Sequence, residues 1–341
     1  GLSLEGPSTN CATYSGDLTN SAWGKDSCTA TTGAADATGG TAGATILASA
    51  GNTYHFIQGN VAETVISGNT YTHSFFVAQG TAPYALVGEA NASATSYAWA
   101  TLKWSDLSIS TNGQLGVSAT VSGPYNGLYR IALTFTANWG ATFFAPRIGP
   151  SFATAAAIGN ANYTLNAAGT ESVIGWGLQI GEHLPFASSY IPTTSSTASR
   201  AADSLYLPWT ATTFTARVKA TMLSEQDNGR LMGAGSGGLL YEAPGPNATT
   251  DNGSNALSIA VNPWTAQNML VIGGSPSGRV LSANGSAATT DGNALVQSAP
   301  SHLYLGAESG GSNYGFGNYA QIGLHTVAPT AAQAAALSGL A

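Results

Sequence analysis

The run GWGLQIGEHLPFASSYIPTTSSTASRAAD, Gly175–Asp203, decides how this chain is organised. Its first part, entered from Val173 and Ile174, reads as a strand, with Trp176, Leu178 and Ile180 as large apolar residues. Its second part is not regular structure. Pro185 and Pro192 remove backbone donors and fix φ, and a Ser/Thr tract follows. A strand therefore feeds an extended polar tether, and a second strand-rich region begins near Leu205. That is a domain edge. The expected division is one domain over 1–187, a Ser/Thr/Pro linker over 188–203 and a second domain over 204–341.

Strand signals continue on both sides of this run. Thr53–Gln58, Thr70–Val77 and Leu128–Thr136 alternate apolar and polar side chains, the mark of half-buried strands. Asn-Gly pairs at Asn112, Asn126, Asn228, Asn252 and Asn284 supply turns. Beyond the tether, Ala211–Ala220, Gly229–Gly233, Asn255–Val261, Met269–Ile272, His302–Gly306 and Phe316–Val327 read as strands. Segments Leu239–Ser254 and Ser275–Gln297, rich in Gly, Ser, Asn and Thr, read as long loops. One helix is expected at the end, opened by a Thr330-x-x-Gln333 capping box after Pro329 and stopped at Gly339. The expected fold class is all-β: two tandem β-sandwich, jelly-roll-like domains with a short C-terminal helix.

Composition narrows the function. The chain has 341 residues, of which 7% are charged and 43% hydrophobic, with a net charge of −7. It is long enough for two ordinary cores and too apolar for a disordered chain. No run of about 18 apolar residues is present, so no membrane span is expected. The nine Lys and Arg are scattered singly, which argues against a phosphate-tracking groove and hence against nucleic acid. A Thr-, Ser-, Asn- and Gly-rich surface suits an extracellular or particle-bound protein, and equally reflects a biased genome. Gly1–Glu5 has neither the basic start nor the apolar core of a secretory signal, and no initiator Met, so a processed or internal start is expected.

Two cysteines, Cys11 and Cys28, are too few for a disulfide framework or a structural zinc. A single Cys11–Cys28 disulfide is expected in an oxidising compartment, worth about 3 kcal/mol. The alternative is two small core thiols.

Three stretches of the first region resemble the sugar-binding-module-like head-spike and tail-fibre domains of tailed bacteriophages. They are Gly1–Asn10 followed by Thr13–Trp23, then Asn126–Thr136, then Trp176–Gln179 with Ser189–Thr194 and Arg200–Asp203. The resemblance covers residues 1–203. Cys11 and Ala12 stand where that family carries two large aliphatics, which would make the bridge a local feature; Gly181 stands where it carries Glu. The resemblance implies a jelly roll on a virion surface, contact with other virion proteins, assembly as a homo-oligomer (a trimer), and affinity for host-surface glycans. The second region is similar, in outline, to concanavalin-A-like and laminin-G-like sandwiches. Its strand succession and the ending Ala320–His325, then Pro329 and a helix, carry that likeness.

Chemistry-bearing residues are sparse. No E-x-D-x-E array exists, and Glu225 and Asp227 fall in a Ser-Glu-Gln-Asp-Asn-Gly turn, so no enzymatic activity is expected. The five histidines show no metal-protease spacing, no G-x-S-x-G elbow is present, and His55 and His73 read as sheet-surface residues. Gly235–Gly238 is too loose to cradle phosphate. No cofactor is expected beyond a structural calcium, for which Asp251, Asn252 and Asp291, or Asp17 and Asp26, are the oxygen candidates. Flat aromatic rings can stack on a pyranose. Trp99, Trp104, Trp139 and Trp264 are the candidate glycan contacts, whereas Trp23 and Trp176 are expected in the core. The expected function is a non-enzymatic virion surface protein that contributes to glycan adhesion. A secreted or cell-surface bacterial carbohydrate-binding protein is the alternative, and a glycan hydrolase or lyase the third.

Overall fold

The structure, a computed structural model, describes all residues except 1, 6, 60, 92–95, 114–115, 142, 159–164, 182–185, 204, 210, 223–229, 235–236, 244–246, 252–255, 262–266, 294–301, 307–316 and 340–341. The chain forms two compact units. One is Ser8–Arg200, and the other combines Gly1–Pro7 with Ala201–Ala341. Both are built of antiparallel strands, so the all-β sandwich class holds.

The Ser8–Arg200 unit holds two large sheets. One is six-stranded, in the order Ile109–Gly113, Tyr97–Lys103, Tyr84–Ala90, Pro146–Ser151, Phe56–Gly59, Trp23–Asp26. The other centres on Thr70–Gln79, paired with Leu128–Thr136 on one side and Ser172–Gly181 on the other. Alternation is real in Leu128–Thr136, where Ile131, Leu133 and Phe135 are buried between partly exposed neighbours. Asn126 and Gly127 both take positive φ, as the hairpin turn before that strand requires. Asn112–Gly113 instead ends a strand, and Asn228 and Asn252 lie outside the described residues.

Thr70–Gln79 departs from the half-buried pattern, because both its faces are covered. The main core takes one face, with Tyr71, Phe75 and Val77. A satellite cluster of Phe76, Leu128 and Trp176 takes part of the other. A second satellite, with Phe56, Leu86, Trp99 and Ile158, covers the outside of the six-stranded sheet. Gly88 is required there: a Cβ on it would overlap the Trp99 ring.

Neither His55 nor His73 lies on a sheet surface; they are 0% and 1% exposed. His55 Nδ1 lies 3.0 Å from the Ser27 carbonyl, and Nε2 lies 2.9 Å from that of Leu165. His73 stands edge-on to Phe135 and Phe144, with Nδ1 3.3 Å from Glu89 Oε2. Glu89 Oε1 accepts from Ala145 N at 2.7 Å.

The 188–203 run is not an extended tether. Ser188, Ile191 and Thr193 are buried, and Ala198–Arg200 is a strand paired with Ser8–Asn10. Its backbone groups find partners within the unit: Tyr14 N donates to Thr194 O, Ile191 N to Gln179 Oε1, and Thr193 N to Ser15 Oγ. The unit edge therefore falls after Arg200 rather than over a linker. The opening residues also change place. Leu2–Leu4 pairs with Gly317–His325 of the other unit, and Glu5 N donates to Asp203 Oδ2.

That other unit has two six-stranded sheets. One runs Leu2–Leu4, Gly317–His325, Phe214–Met222, Asn268–Ser275, Gly278–Ala283, Thr289–Asp291. The second runs Leu205–Pro208, His302–Leu305, Arg230–Ala234, Gly237–Ala243, Asn247–Asp251, Ala256–Ala260. Phe214, Val218, Met232, Leu270, Ile272, Leu281, Leu303 and Leu305 form its core. The segments read as long loops thus contain strands. Val280 and Leu281 are buried on opposite faces of Gly278–Ala283, and Pro276 and Ser277 form the tight turn that joins it to Asn268–Ser275. The helix Ala331–Ser338 carries the expected capping box, and Pro329 sits so close to Gly273 that no Cβ fits there.

Glu89→Ala removes the partner of a buried histidine and the acceptor of Ala145 N. We expect a loss of about 1–3 kcal/mol in urea unfolding of the Ser8–Arg200 unit, with a smaller loss for Glu89→Gln. A loss below about 1 kcal/mol for Glu89→Ala would mean that the pair contributes nothing net.

Candidate functional site

Of the sequence-nominated tryptophans, one is buried and two are half-buried against neighbouring rings. Trp99 is 0% exposed, stacked on Tyr97 and lying beneath the Arg147 guanidinium. Trp104, just past the end of Tyr97–Lys103, packs half-buried against Tyr129. Trp139 lies flat on Phe135, with ring centroids 5.9 Å apart and planes 3° from parallel. Trp264 lies outside the described residues. Trp23 and Trp176 are core, as expected. Burial of these large rings stabilises the sandwich more than exposure would, by roughly 1.5–3 kcal/mol each.

Cys11 and Cys28 are both buried, and no disulfide joins them. Cys28 Sγ donates to Phe56 O, and burial pushes its thiol up to about 12. Both sulfurs act as small core groups. Neither cysteine should react with a water-soluble aromatic disulfide reagent until the protein is denatured, when two thiols per chain should appear. Fewer than two on denaturation without reductant would restore the disulfide.

Two of the calcium candidates, Asp17 and Asp291, already accept hydrogen bonds from neighbouring groups. Asp17 Oδ1 accepts from Thr19 N and Oγ1. Carbonyls of Thr19, Asn20 and Trp23 converge beside it, but they accept from the Lys25 ammonium, which fills the place a cation would take. Asp26 is exposed. Asp251 ends a strand with its backbone opposite Ala256, and Asn252 lies outside the described residues. Asp291 forms a two-pronged pair with Arg279, at 2.9 Å and 2.7 Å, and also accepts from Asn293. Among the described residues no three acidic, His or Cys side chains group as a metal site. Glu225 and Asp227 also lie outside the described residues.

Hydrogen bonds from Arg279 and Asn293 depress the Asp291 carboxyl to about 2. A depressed carboxyl stabilises the fold above its unfolded value, near 3.8, and loses that contribution as pH falls toward 2. The urea midpoint of the unit holding Asp291 should therefore fall between about pH 4 and pH 2, and Asp291→Asn should flatten the fall. An equally steep fall in the variant would assign it to other carboxylates.

Two concave sites lie near the helix. A cavity of about 490 Å³ is lined by Val327, Ala328, Pro329 and Leu337, with Thr215, His325 and Gln333 as its polar residues. Thr215 already donates to Val327 O, and Gln333 Oε1 closes the helix cap. A hollow of about 180 Å³ beside it contains the Arg279–Asp291 pair, whose carboxylate oxygens are saturated. Neither presents convergent polar groups to a ligand.

The arrangement that does face outward was not singled out by sequence. Leu303 and Leu305 point into the core, so His302 and Tyr304, which alternate with them, point away. The register places Tyr206 opposite Tyr304 and Pro208 opposite His302. The three rings form one cluster. Tyr206 meets His302 edge-on at 4.9 Å, and Tyr304 lies 5.9 Å from Tyr206 and 6.1 Å from His302. Tyr206 is 52% exposed, and His302 and Tyr304 are half-buried. The available signal was two short alternating strands, Leu205–Pro208 and His302–Leu305, whose outward positions are aromatic or Pro rather than Thr or Ser.

No family model matches this chain, and no curated protein matches it. A solved structure similar to it is the mouse laminin alpha1 chain, domains LG4-5. The match has 14% identity, covers 80% of this chain and 92% of that one, and has a TM-score of 0.25. The β-sandwich architecture stands on the strand registers themselves. No helix among the described residues is long and apolar enough to cross a membrane.

Proposed function

We propose that this chain is a non-enzymatic surface protein of a tailed phage or phage-like particle, and that it contacts host-surface glycans through Tyr206, His302 and Tyr304. The observation that carries the glycan reading is the three-ring cluster on the outer face of a sheet, with Tyr206 exposed and His302 and Tyr304 half-buried beside it. An amphipathic ring offers a face for sugar C–H groups and a polar rim for sugar hydroxyls. The rings already pack on one another, so little side-chain freedom is lost when a ligand lands. Placement on a particle is supported by the three phage-like stretches in residues 1–203, and assembly with other virion proteins as a homo-oligomer belongs to the same reading. The low charge of the chain fits contact through rings and hydroxyls rather than ion pairs.

The test is a glycan array probed with the whole chain and with Tyr206→Ala/Tyr304→Ala. Binding by the parent that drops at least about tenfold in the double variant, with an unchanged circular dichroism spectrum, is expected. Array binding that the double variant retains would move the glycan site elsewhere on the molecule.

A further inference from the structure

The register around the cluster extends it into a row. Tyr206 lies opposite Tyr304, Tyr304 opposite Gly233, and Gly233 opposite Gly238. Residues paired in this way share a face of the sheet. The row therefore crosses four strands and is about 14 Å long at the usual strand spacing. Two aromatic side chains stand at one end. The other two members, Gly233 and Gly238, carry no side chain, and the strand pairing shifts register between Met232 and Gly233.

We infer that this row takes a single, extended, uncharged glycan chain laid across the strands. The inference rests on the proposed glycan contact and names its ligand class. Three observations set that class. First, the cluster is on an open sheet face, with Tyr206 more than half exposed. A terminal sugar held alone needs walls on several sides, whereas a chain is held by contacts repeated along its length. Second, the Tyr206 and Tyr304 planes are 46° apart. A flat crystalline surface needs coplanar rings, while successive rings of a free chain turn relative to one another and can meet a turned pair. Third, no member of the row carries a formal charge, and the whole chain bears −7. A polyanionic glycan would find no cation in the row and a repelling field around it.

The row is also directional. Beside Tyr304 it falls to the level of the backbone at Gly233, so a chain stacked on the two tyrosines meets no side chain from the next member of the row. About three sugar rings fit the length. The Tyr206–His302 edge contact fixes the outer ring, and Pro208 opposite His302 gives that end a stiff border.

The experiment is calorimetric titration of the whole chain with cellohexaose, maltohexaose and chitohexaose, their disaccharides and a hexamer of galacturonic acid. Pull-down on microcrystalline cellulose and chitin accompanies it. The variants are Tyr206→Ala, Tyr304→Ala and Gly238→Gln, the last placing a side chain in the bare part of the row. We expect one neutral hexasaccharide to bind at least about tenfold more tightly than its disaccharide. Tyr206→Ala and Tyr304→Ala should weaken both, and Gly238→Gln should bring the hexamer down toward the disaccharide. Equal affinity for hexamer and disaccharide, both lost in Tyr304→Ala, would overturn the chain class and leave the glycan contact standing. So would capture by the crystalline polymers alone, or preference for the galacturonic acid hexamer. Binding unaffected by either tyrosine variant, or no binding to any probe, overturns the inference and the proposed contact together. Tyr206 is at the sheet edge and exposed, so its variant reports even where Gly238→Gln does not fold.

Discussion

The Ser8–Arg200 unit depends on one amide. Asn10 is fully buried, and its side chain makes four hydrogen bonds, all to backbone. Nδ2 donates to Leu178 O and Ile191 O, while Oδ1 accepts from Ala12 N and Ile180 N. An Asn side chain has two donors and two lone pairs, so its capacity is filled. Those partners come from the chain leaving Ser8–Asn10, from the strand Ser172–Gly181 and from the strap that follows it. The amide thus ties the two ends of the unit to its central sheet. Arg130, bonded to Ser74 Oγ and Ser188 O, holds the same strap from the other side. With its ends locked in this way the unit begins at Ser8, and the preceding Leu2–Leu4 is left to complete a different sheet.

A chain with so few charges treats each buried one as a local problem. Arg279 is met by a carboxylate, Asp36 by Thr38 and backbone N–H groups, and the half-buried Lys25 ammonium by three carbonyls. Elsewhere hydroxyls supply the polar contacts, as in the paired threonines Thr72–Thr134 and Thr70–Thr136 across adjacent strands. This is why Ser and Thr tracts that look like solvated linker can belong to packed structure. Their side chains complete backbone hydrogen bonds over short distances, and they bury with little loss when both partners are present.

Much of the architecture was legible in the sequence, for reasons that can be located. Leu128–Thr136 alternates because one face meets the core, and Thr330 and Gln333 cap a helix because two local side chains suffice. What stayed hidden depended on distant pairing. Nothing in Thr193 announces that Ala12 O accepts from it, and nothing in Leu2–Leu4 that its partner is Gly317–His325. The histidines misled because a polar residue in an alternating run reads as outward. His73 instead shares the core face with Tyr71, Phe75 and Val77 and packs edge-on to Phe135 and Phe144, while His55 is held by the Ser27 and Leu165 carbonyls.

The same reasoning explains why Trp99, Trp104 and Trp139 pack against other rings while Tyr206 stays exposed. Exposing a large apolar ring costs more as its area grows, so a sandwich with satellite clusters draws its largest rings inward. Trp99 and Trp139 pack flat on other rings, and Trp104 packs tilted against Tyr129. A tyrosine tolerates exposure better because its hydroxyl stays hydrated while its ring rests on a neighbour. Tyr206 does this at an edge strand, where His302 and Tyr304 support it from within the sheet. An exposed ring that its neighbours hold in place has already lost the freedom a ligand would otherwise have to remove. The outer face of Leu205–Pro208 and His302–Leu305 therefore combines exposure with rigidity, the two properties that a sugar-stacking surface requires.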